Sequence, residues 1–228
     1  IVRSLVGSEM CIRDRVIGGH YDGGAATAAQ LKKLSGDKIY NNADDNASGT
    51  ATVLELFEKY ASTNSNKRTL VFILFGGEEL GLLGSKYYVE NPTINLNKVQ
   101  LMINLDMMGR LTEELLYVGG VTSGEGFKEQ LQIHFDKTDM NIDAYSNTPH
   151  AEDRRYNRLF QRSDHYNFYK EGIPCIFFFT GIHDDYHRPS DEIDKLNFDG
   201  IQKIANLVDS IVIDFSSNHR LKFQEITD

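Results

Sequence analysis

The sequence is poor in cysteine and proline and contains no tryptophan. Its 228 residues include four prolines and two cysteines, Cys11 and Cys175. Two cysteines so far apart form neither a zinc knuckle nor a disulfide framework. Cys175 lies inside the apolar run "IPCIFFF", where we expect it to be a small buried hydrophobic residue. Cysteine content therefore leaves the redox compartment open.

Basic residues are fewer than acidic ones. The sequence has 24 Lys and Arg against 33 Asp and Glu, which gives a formal net charge of -9 at pH 7. This balance argues against nucleic acid as a partner, since nucleic-acid binding needs a basic footprint to displace counterions. The sequence also lacks an apolar run of the roughly 20 residues that a membrane-spanning helix requires. Its length and its hydrophobic fraction of 40% fit one α/β domain with a sizeable core.

The first 15 residues, "IVRSLVGSEMCIRDR", have no secretory pattern, because no apolar segment follows a basic start. They resemble translated sequencing-adapter read-through. We therefore expect residues 1–15 to be a non-native segment and residues 16–228 to form the domain. On this interpretation Cys11 is irrelevant, and the native N-terminus, with any signal peptide, is missing from an N-terminally truncated domain.

Downstream of this segment, apolar strands alternate with amphipathic helices. The predicted strands are "RVIGGH", "TLVFILFGG", "VQLMINLDMMG", "ELLYVGG" and "IPCIFFFTG". The predicted helices are "ASGTATVLELFEKYAS", "ELGLLGSKYYVEN", "SGEGFKEQLQIHFDKT", "SDHYNFYKEG" and "FDGIQKIANLVDSIVIDF". Such alternation predicts an α/β fold with a mainly parallel sheet and helices on both faces.

Two local predictions concern the less regular parts of the chain. Ser123 has the position and chemistry of an N-cap for the helix that contains Phe127, Leu131 and Phe135. Residues 141–162 are polar, irregular and rich in arginine, so we predict a long surface loop there.

Acidic residues and histidines gather where the predicted strands end. The residues are His20 with Asp22, Glu78 with Glu79, Asp106, the pair Asp44 and Asp45 before a helix, and the loop residues His183, Asp184, Asp185, Tyr186 and His187. Taken singly, each has an ordinary explanation as a solvated loop residue or a helix cap. Open α/β sheets bind ligands beyond the carboxyl ends of their strands, so together these residues predict a site.

The adjacent carboxylates of Glu78 and Glu79 indicate what this site binds. Two neighbouring carboxylates after an apolar strand repel each other and resist desolvation, which predicts a compensating cation or a large pKa shift. A mixed set of histidines and carboxylates suits zinc, whereas calcium and magnesium prefer oxygen ligands alone. The ligands exceed what one tetrahedral ion needs, so we predict two metal ions about 3.5–4 Å apart. Asp22 is placed to accept a proton from His20 and orient it.

Five motifs resemble those of the M28 zinc peptidases and occur in the same order: "GGHYD", "ADDNASG", "FGGEELGLLGS", "NLDMMG" and "YHRPSDE". The resemblance extends from about Val16 to about Phe215. It implies a three-layer α/β/α fold with a mixed, mainly parallel central sheet, and a catalytic domain over residues 16–228. It also implies a metallo-exopeptidase that hydrolyses peptide substrates, most often as an aminopeptidase with two Zn²⁺ ions.

The resemblance carries roles onto individual residues. It implies five metal ligands, namely His20, Asp45, Glu79, Asp106 and His187. Asp45 resembles the bridging carboxylate, while His20 shares one metal with Asp106 and Glu79 shares the other with His187. Glu78 resembles the general base, and Tyr186 resembles the residue that stabilises the tetrahedral oxyanion.

The segment "RSDHYNFYKEGIP" resembles the family segment that closes one side of the pocket. Asp164 and His165 are therefore candidate residues of the pocket or of the layer behind the metal ligands. A capped helix with His165 packed against the sheet is an equally open interpretation.

Three alternatives remain within the same fold. Glutaminyl cyclases are acyltransferases with a similar ligand layout, but they use one catalytic zinc and pocket tryptophans, and this sequence has no tryptophan. Inactive peptidase-like ectodomains have lost ligands, whereas every matched ligand is present here. Amino-, carboxy- and dipeptidase action stay open at this level. Family members are often exported, so we expect a periplasmic or secreted parent protein.

Overall fold

The computed structural model describes residues 2–5, 14–25, 27, 29, 32, 35–217 and 221–227. Cys11 lies outside the described residues. The strands are β1 (Val2–Leu5), β2 (Asp14–His20), β3 (Leu70–Phe75), β4 (Val99–Leu105), β5 (Leu115–Gly119), β6 (Asn141–Ala144) and β7 (Cys175–Phe179). The helices are α1 (Gly49–Thr63), α2 (Leu83–Glu90), α3 (Phe127–Phe135), α4 (His165–Lys170) and α5 (Phe198–Ser217). Each predicted strand and helix therefore has a counterpart.

The strands form one seven-stranded sheet in the order β1-β3-β2-β4-β7-β5-β6. The central pairs β3-β2, β2-β4 and β4-β7 are parallel, and β5 is parallel to β6. Strand β1 is antiparallel to β3, and β5 is antiparallel to β7. The predicted mixed, mainly parallel sheet is thus confirmed. Strand β1 belongs to residues 1–15, whose assignment as a non-native segment stays a prediction.

Helices cover both faces of the sheet, which confirms the three-layer α/β/α fold. Successive strand residues alternate between two hydrophobic clusters, as the period of two in a strand requires. In β3, for example, Leu70 and Phe72 pack with the cluster that includes Val53 of α1, while Val71 packs with the cluster that includes Phe168 of α4. Within the described part of the chain, no helix combines the length and the apolar character needed to span a bilayer.

Two local predictions were wrong. Helix α3 starts at Phe127 with Gly126 as its N-cap, and Ser123 instead exchanges hydrogen bonds of 2.8 and 2.9 Å with the backbone of Cys175. This bond joins the loop before α3 to β7. Residues 141–162 also form more than a surface loop, because they begin with β6 and then bury several side chains, among them those of Tyr156, Leu159 and Phe160. Their polar composition concealed these isolated apolar anchors.

His165 is fully buried between two aromatic rings, which makes stability sensitive to acid. Its ring lies 4.6 Å from that of Phe160 and stacks 4.5 Å from that of Phe177. Burial lowers its pKa to about 3, although Nε2 has the carbonyl of Phe160 as its partner. The unfolded chain therefore binds a proton first as the pH falls, so stability present above pH 6.5 is lost toward pH 3.

We expect protonation of His165 in the unfolded chain to lower the free energy of unfolding by about 3 kcal/mol between pH 7 and pH 4. Urea unfolding of the metal-free protein across this range measures the loss. His165→Gln places an amide nitrogen near the position of Nε2 and does not titrate, so its stability should fall less over the same range. Parallel pH profiles for the two proteins would contradict the assignment.

Candidate metal centre

The parallel strands β3, β2 and β4 bring three parts of the predicted site to one edge of the sheet. They are neighbours in the order β3-β2-β4, so their carboxyl ends lie side by side. Strand β2 ends at His20, β4 ends one residue before Asp106, and β3 ends shortly before Glu78 and Glu79. The apolar run of each strand fixes the register of the sheet, and the register places these side chains together.

The turn Ala43–Ser48 brings Asp45 to the same edge. Its Asn46 side chain donates hydrogen bonds to the carbonyls of His20 and Leu105, at 3.2 and 3.0 Å. Asn46 Oδ1 accepts from the main-chain N–H groups of Gly49 and Met107, both at 3.0 Å. One buried amide therefore ties the turn to the ends of both β2 and β4. The peptide bond between Asp45 and Asn46 is cis.

Five side chains form two groups that share Asp45. In the first group, His20 Nε2 lies 3.2 Å from Asp106 Oδ1 and 3.4 Å from Asp45 Oδ1. In the second, His187 Nε2 lies 3.0 Å from Asp45 Oδ2 and 3.0 Å from Glu79 Oε2. Within each group the potential ligand atoms lie within 4.8 Å of one another. Each Asp45 oxygen thus faces a different histidine, which is the arrangement a bridging carboxylate requires.

Glu78 belongs to neither group but lies beside both. Its side chain lines a small cavity together with His20, Asp45, Asp106 and Tyr186. Burial and the charge of Asp106 raise the Glu78 pKa to about 9, against the opposing charge of His20. A carboxyl group with a raised pKa beside two groups of potential ligands is suited to accepting and returning a proton.

Tyr186 and His187 are stacked on each other, with ring centroids 3.8 Å apart. Burial and the charge of Asp45 raise the Tyr186 pKa above its ordinary value, so the phenol stays protonated and able to donate a hydrogen bond. His187 has a φ of 56°, and Met107, in the same small cavity, has a φ of 55°. Left-handed backbone at non-glycine residues is costly and is concentrated at functional sites.

The residues of this centre fit a bound cation. Four carboxylates, those of Asp45, Glu78, Glu79 and Asp106, share the site, and no Lys or Arg among the described residues forms an ion pair with any of them. Glu79 Oε1 is buried and has no hydrogen-bond partner. Such a buried, unpaired oxygen is costly unless something outside the chain binds it. Imidazole nitrogens combined with carboxylate oxygens suit zinc.

Comparisons with known proteins identify the family of the chain. The family model of peptidase family M28 matches residues 2–212. The chain belongs to peptidase family M28. Aminopeptidase YwaD of Bacillus subtilis is 32% identical to it over 180 residues, which are 75% of this chain and 37% of the relative. The M28 chain spans about half the length or less of the first curated relatives it matches, from 37% to 54%.

Solved structures share the fold of this M28 chain. BSAP, a zinc aminopeptidase from Bacillus subtilis, superposes with a TM-score of 0.72 at 24% identity, over 99% of this chain and 53% of that one. The glutaminyl cyclase of Porphyromonas gingivalis gives a TM-score of 0.69 at 16% identity, over 94% of this chain and 75% of that one. At such identities the likeness establishes the fold alone.

Asp22 is one of the polar residues that hold the two ligand groups of the M28 chain in place. The carbonyl of Asp22, rather than its carboxylate, lies 2.9 Å from His20 Nδ1. The Asp22 carboxylate, 3.8 Å from that nitrogen, instead accepts from the N–H groups of Glu78 and Glu79, at 3.2 and 3.4 Å. Asp22 therefore links the end of β2 to the glutamate pair. Its carbonyl, and not its carboxylate as predicted, is the partner of His20.

Ser163 was missed at the sequence level. Its hydroxyl donates to Asp106 Oδ2 at 2.7 Å and accepts from the Asn104 side chain at 2.8 Å. This chain of hydrogen bonds holds Asp106 Oδ2, the oxygen that does not face His20. Asp164, next to it, is completely buried and neither of its oxygens accepts a hydrogen bond. Burial raises the Asp164 pKa to about 7. His165 lies in the aromatic cluster described above, against β7.

Asp44 and Asp185 form hydrogen bonds and ion pairs with other residues of the chain and belong to neither ligand group. Asp44 Oδ1 accepts from the N–H of Gly109 at 2.6 Å and from the Ser48 hydroxyl at 3.0 Å, while Oδ2 lies 3.1 Å from His183 Nε2. Asp185 pairs with Arg110 and with Lys195, at 3.0 and 2.6 Å. These bonds join the His187 loop to the end of β4.

Asp191 is a second supporting residue that the sequence-based predictions did not include. Its buried carboxylate accepts from the N–H groups of Asp44 and Asp45, at 2.9 and 3.1 Å, and pairs with Arg110 at 3.1 Å. It therefore holds the backbone of the turn that presents Asp45. The signal was in the sequence, since Asp191 follows His187 within "HRPSDE".

We expect Asp191→Ala to destabilise the protein by about 3 kcal/mol, because it leaves the buried N–H groups of Asp44 and Asp45 without an acceptor and removes one of the two carboxylate partners of Arg110. Zinc affinity should fall as well, since Asp45 loses its support. Chemical denaturation and zinc titration measure the two effects. Asp139→Ala is the control, because this exposed residue only pairs with Lys203 at the surface. Equal stability of the two variants would contradict the role of Asp191.

Proposed function

We propose that this M28 chain is the catalytic part of a zinc-dependent aminopeptidase. The observation that carries the proposal is the pair of ligand groups that share Asp45, with Glu78 beside them and bound to neither. The family supports a hydrolytic peptidase, and the M28 relative named above is an aminopeptidase. A catalytically inactive relative would lack ligands, whereas both groups here are complete.

Two Zn²⁺ ions are the cofactors that we propose. His20, Asp45 and Asp106 would hold one ion, and Asp45, Glu79 and His187 would hold the other. When bound, zinc lowers the pKa of water and polarises the carbonyl that is attacked.

Glu78 then acts as the general base and acid. Its carboxylate takes a proton from the attacking water and returns it to the nitrogen of the leaving amine as the peptide bond breaks. The partial enclosure of Glu78 beside Asp106 favours proton transfer in both directions, because neither protonation state is strongly disfavoured once a cation balances the surrounding carboxylates.

Tyr186 supplies a hydrogen-bond donor to the same cavity. A neutral phenol that is held against the ring of His187 can donate to the oxygen of the tetrahedral intermediate as negative charge develops there. The stacked contact limits its movement, so little reorganisation is needed during the reaction.

A metal and substrate assay tests the proposal. The protein loaded with zinc should hydrolyse leucine p-nitroanilide, should fail on the N-acetylated analogue, and should lose activity with a chelator. Cyclisation of an N-terminal glutamine peptide without hydrolysis of the anilide would favour a cyclase instead. Absence of both activities, despite bound zinc, would favour an inactive peptidase-like domain.

We expect zinc affinity to rise steeply with pH. Hydrogen bonds that His187 donates to the carboxylates of Asp45 and Glu79 raise its pKa to about 10. Burial lowers the His20 pKa, but Asp106 and Asp45 outweigh it, and the net shift is upward. Both imidazoles are therefore protonated in the metal-free protein at pH 7, and metal binding must release about two protons.

The overall association constant for the two ions should accordingly increase about 100-fold per pH unit between pH 6 and pH 7, because each ion displaces about one proton. Competition with a chromophoric chelator at several pH values measures this slope, after correction for the chelator's own protonation. His187→Ala, which keeps one ligand imidazole, should show a smaller slope. A slope near zero in the unaltered protein would contradict the protonation states assigned here.

A further inference from the structure

Two cavities meet at the metal centre and share the side chain of His187. The smaller, about 50 Å³, reaches from Glu78 and Tyr186 toward apolar residues such as Phe177 and Ile182. The larger, about 570 Å³, begins at Glu79 and His187 and extends along Gly23, Gly24 and Ala25 toward Leu80. The centre therefore has a confined side and a spacious side.

This asymmetry indicates which cavity binds which side of the scissile peptide bond. An exopeptidase removes one terminal residue, so one side of the scissile bond ends after a single side chain while the other continues. The smaller cavity, which has Phe177, Phe179 and Ile182 among its lining residues, is the side for the single residue. The larger cleft is the place where a chain can continue away from the centre.

The segment Gly23–Ala25 offers main-chain groups to a ligand in this cleft. None of its N–H and C=O groups forms a hydrogen bond with the described residues. The segment also runs close to the ligands, because a Cβ atom on Gly24 would lie 3.2 Å from Glu79 Oε1 and 3.4 Å from His187 Cδ2. Extended peptides are commonly recognised by main-chain hydrogen bonds to such an unpaired segment.

Leu80 adds an apolar surface to the same cleft. Its side chain is 77% exposed, although it follows directly on the glutamate pair. A large aliphatic side chain this exposed beside the site gives the ligand's side chains a contact that the glycines cannot provide.

We propose that the larger cleft binds the part of the substrate beyond the scissile bond, through main-chain hydrogen bonds to Gly23–Ala25 and contact with Leu80. The preferred substrates are then unblocked peptides of three or more residues rather than dipeptides. This inference rests on the proposed aminopeptidase function and adds its substrate class.

Chain-length dependence tests the inference. We expect kcat/KM to rise about tenfold from Leu-Gly to Leu-Gly-Gly-Gly, as one or two added hydrogen bonds would give. Ala25→Pro removes one N–H, and the ratio of the two kcat/KM values should fall about fivefold. Ala25→Ser keeps the N–H and should keep the ratio. An unchanged ratio in Ala25→Pro, or equal rates of the unaltered protein on both peptides, would overturn the inference.

Leu80→Ala should lower kcat/KM for Leu-Gly-Phe-Gly relative to leucine p-nitroanilide, whereas Leu54→Ala, at a 49% exposed position on α1, should not.

Binding gives a readout independent of turnover: a reduced-amide analogue of Leu-Gly-Gly-Gly should shift the amide resonances of Gly23, Gly24 and Ala25. Shifts confined to other residues would also overturn the inference. Failure of the aminopeptidase proposal itself would be distinguishable, because leucine p-nitroanilide would then not be hydrolysed.

Discussion

Glu78→Ala should lower kcat/KM by about 10³-fold or more, the upper part of the range for the loss of a general base, while zinc content stays near that of the unaltered protein. Glu78 lines the small cavity beside His20 and Asp106 but belongs to neither ligand group. Removing its carboxylate therefore removes the proton acceptor and leaves all five proposed ligands in place. Activity on leucine p-nitroanilide and metal analysis after gel filtration measure the two effects.

Glu79→Ala is the matched comparison, because it changes the neighbouring residue of the same type. Glu79 Oε2 lies 3.0 Å from His187 Nε2, so its loss should remove one zinc ion as well as activity. Equal metal loss in the two variants would refute the division of roles between the two glutamates.

Asp45→Ala should have the second large effect and should act on both metal ions at once. Asp45 is the one side chain common to the two groups, with one oxygen 3.4 Å from His20 and the other 3.0 Å from His187. Zinc content should fall from about two ions per chain to less than one. Activity should fall about 10³-fold or more, because several kcal/mol of charge stabilisation are lost.

Two neighbouring variants separate this effect from general damage. Asp106→Ala removes a ligand from one group alone, so it should retain more zinc than Asp45→Ala. Asp44→Ala should keep the metal but destabilise the fold, because Asp44 bonds to Gly109, Ser48 and His183. Retention of two zinc ions in Asp45→Ala would show that Asp45 does not bridge the metals.

The sheet could be predicted from the sequence because its strands are continuous apolar runs. Runs such as "LVFILF" are buried on both faces, and that burial leaves a clear compositional signal. Strand β6 and the anchors Tyr156 and Phe160 had no such signal, because each stands among polar residues. The helix cap at Ser123 failed because a tertiary bond to Cys175 outcompeted local capping.

The residues of the candidate site could be named from short motifs, but their supporting contacts could not. The strand ends and the glutamate pair indicated where His20 and Glu79 would lie. The bonds of Asn46, Ser163 and Asp191 join segments far apart in the chain, and nothing in a linear pattern states such pairings. The carboxylate of Asp22 likewise found backbone N–H groups that only the folded turn presents.

The turn that presents Asp45 is held from two directions, by Asn46 toward the strand ends and by Asp191 toward the His187 loop. Two cations that share Asp45 would link His20 to His187 and so close most of the chain into one non-covalent loop. Cross-links of this length reduce the entropy of the unfolded chain, as long-range disulfides do. The cysteine of the described residues, Cys175, is free and buried. The metal ions would therefore act as a disulfide does, and metal loading would stabilise the folded chain.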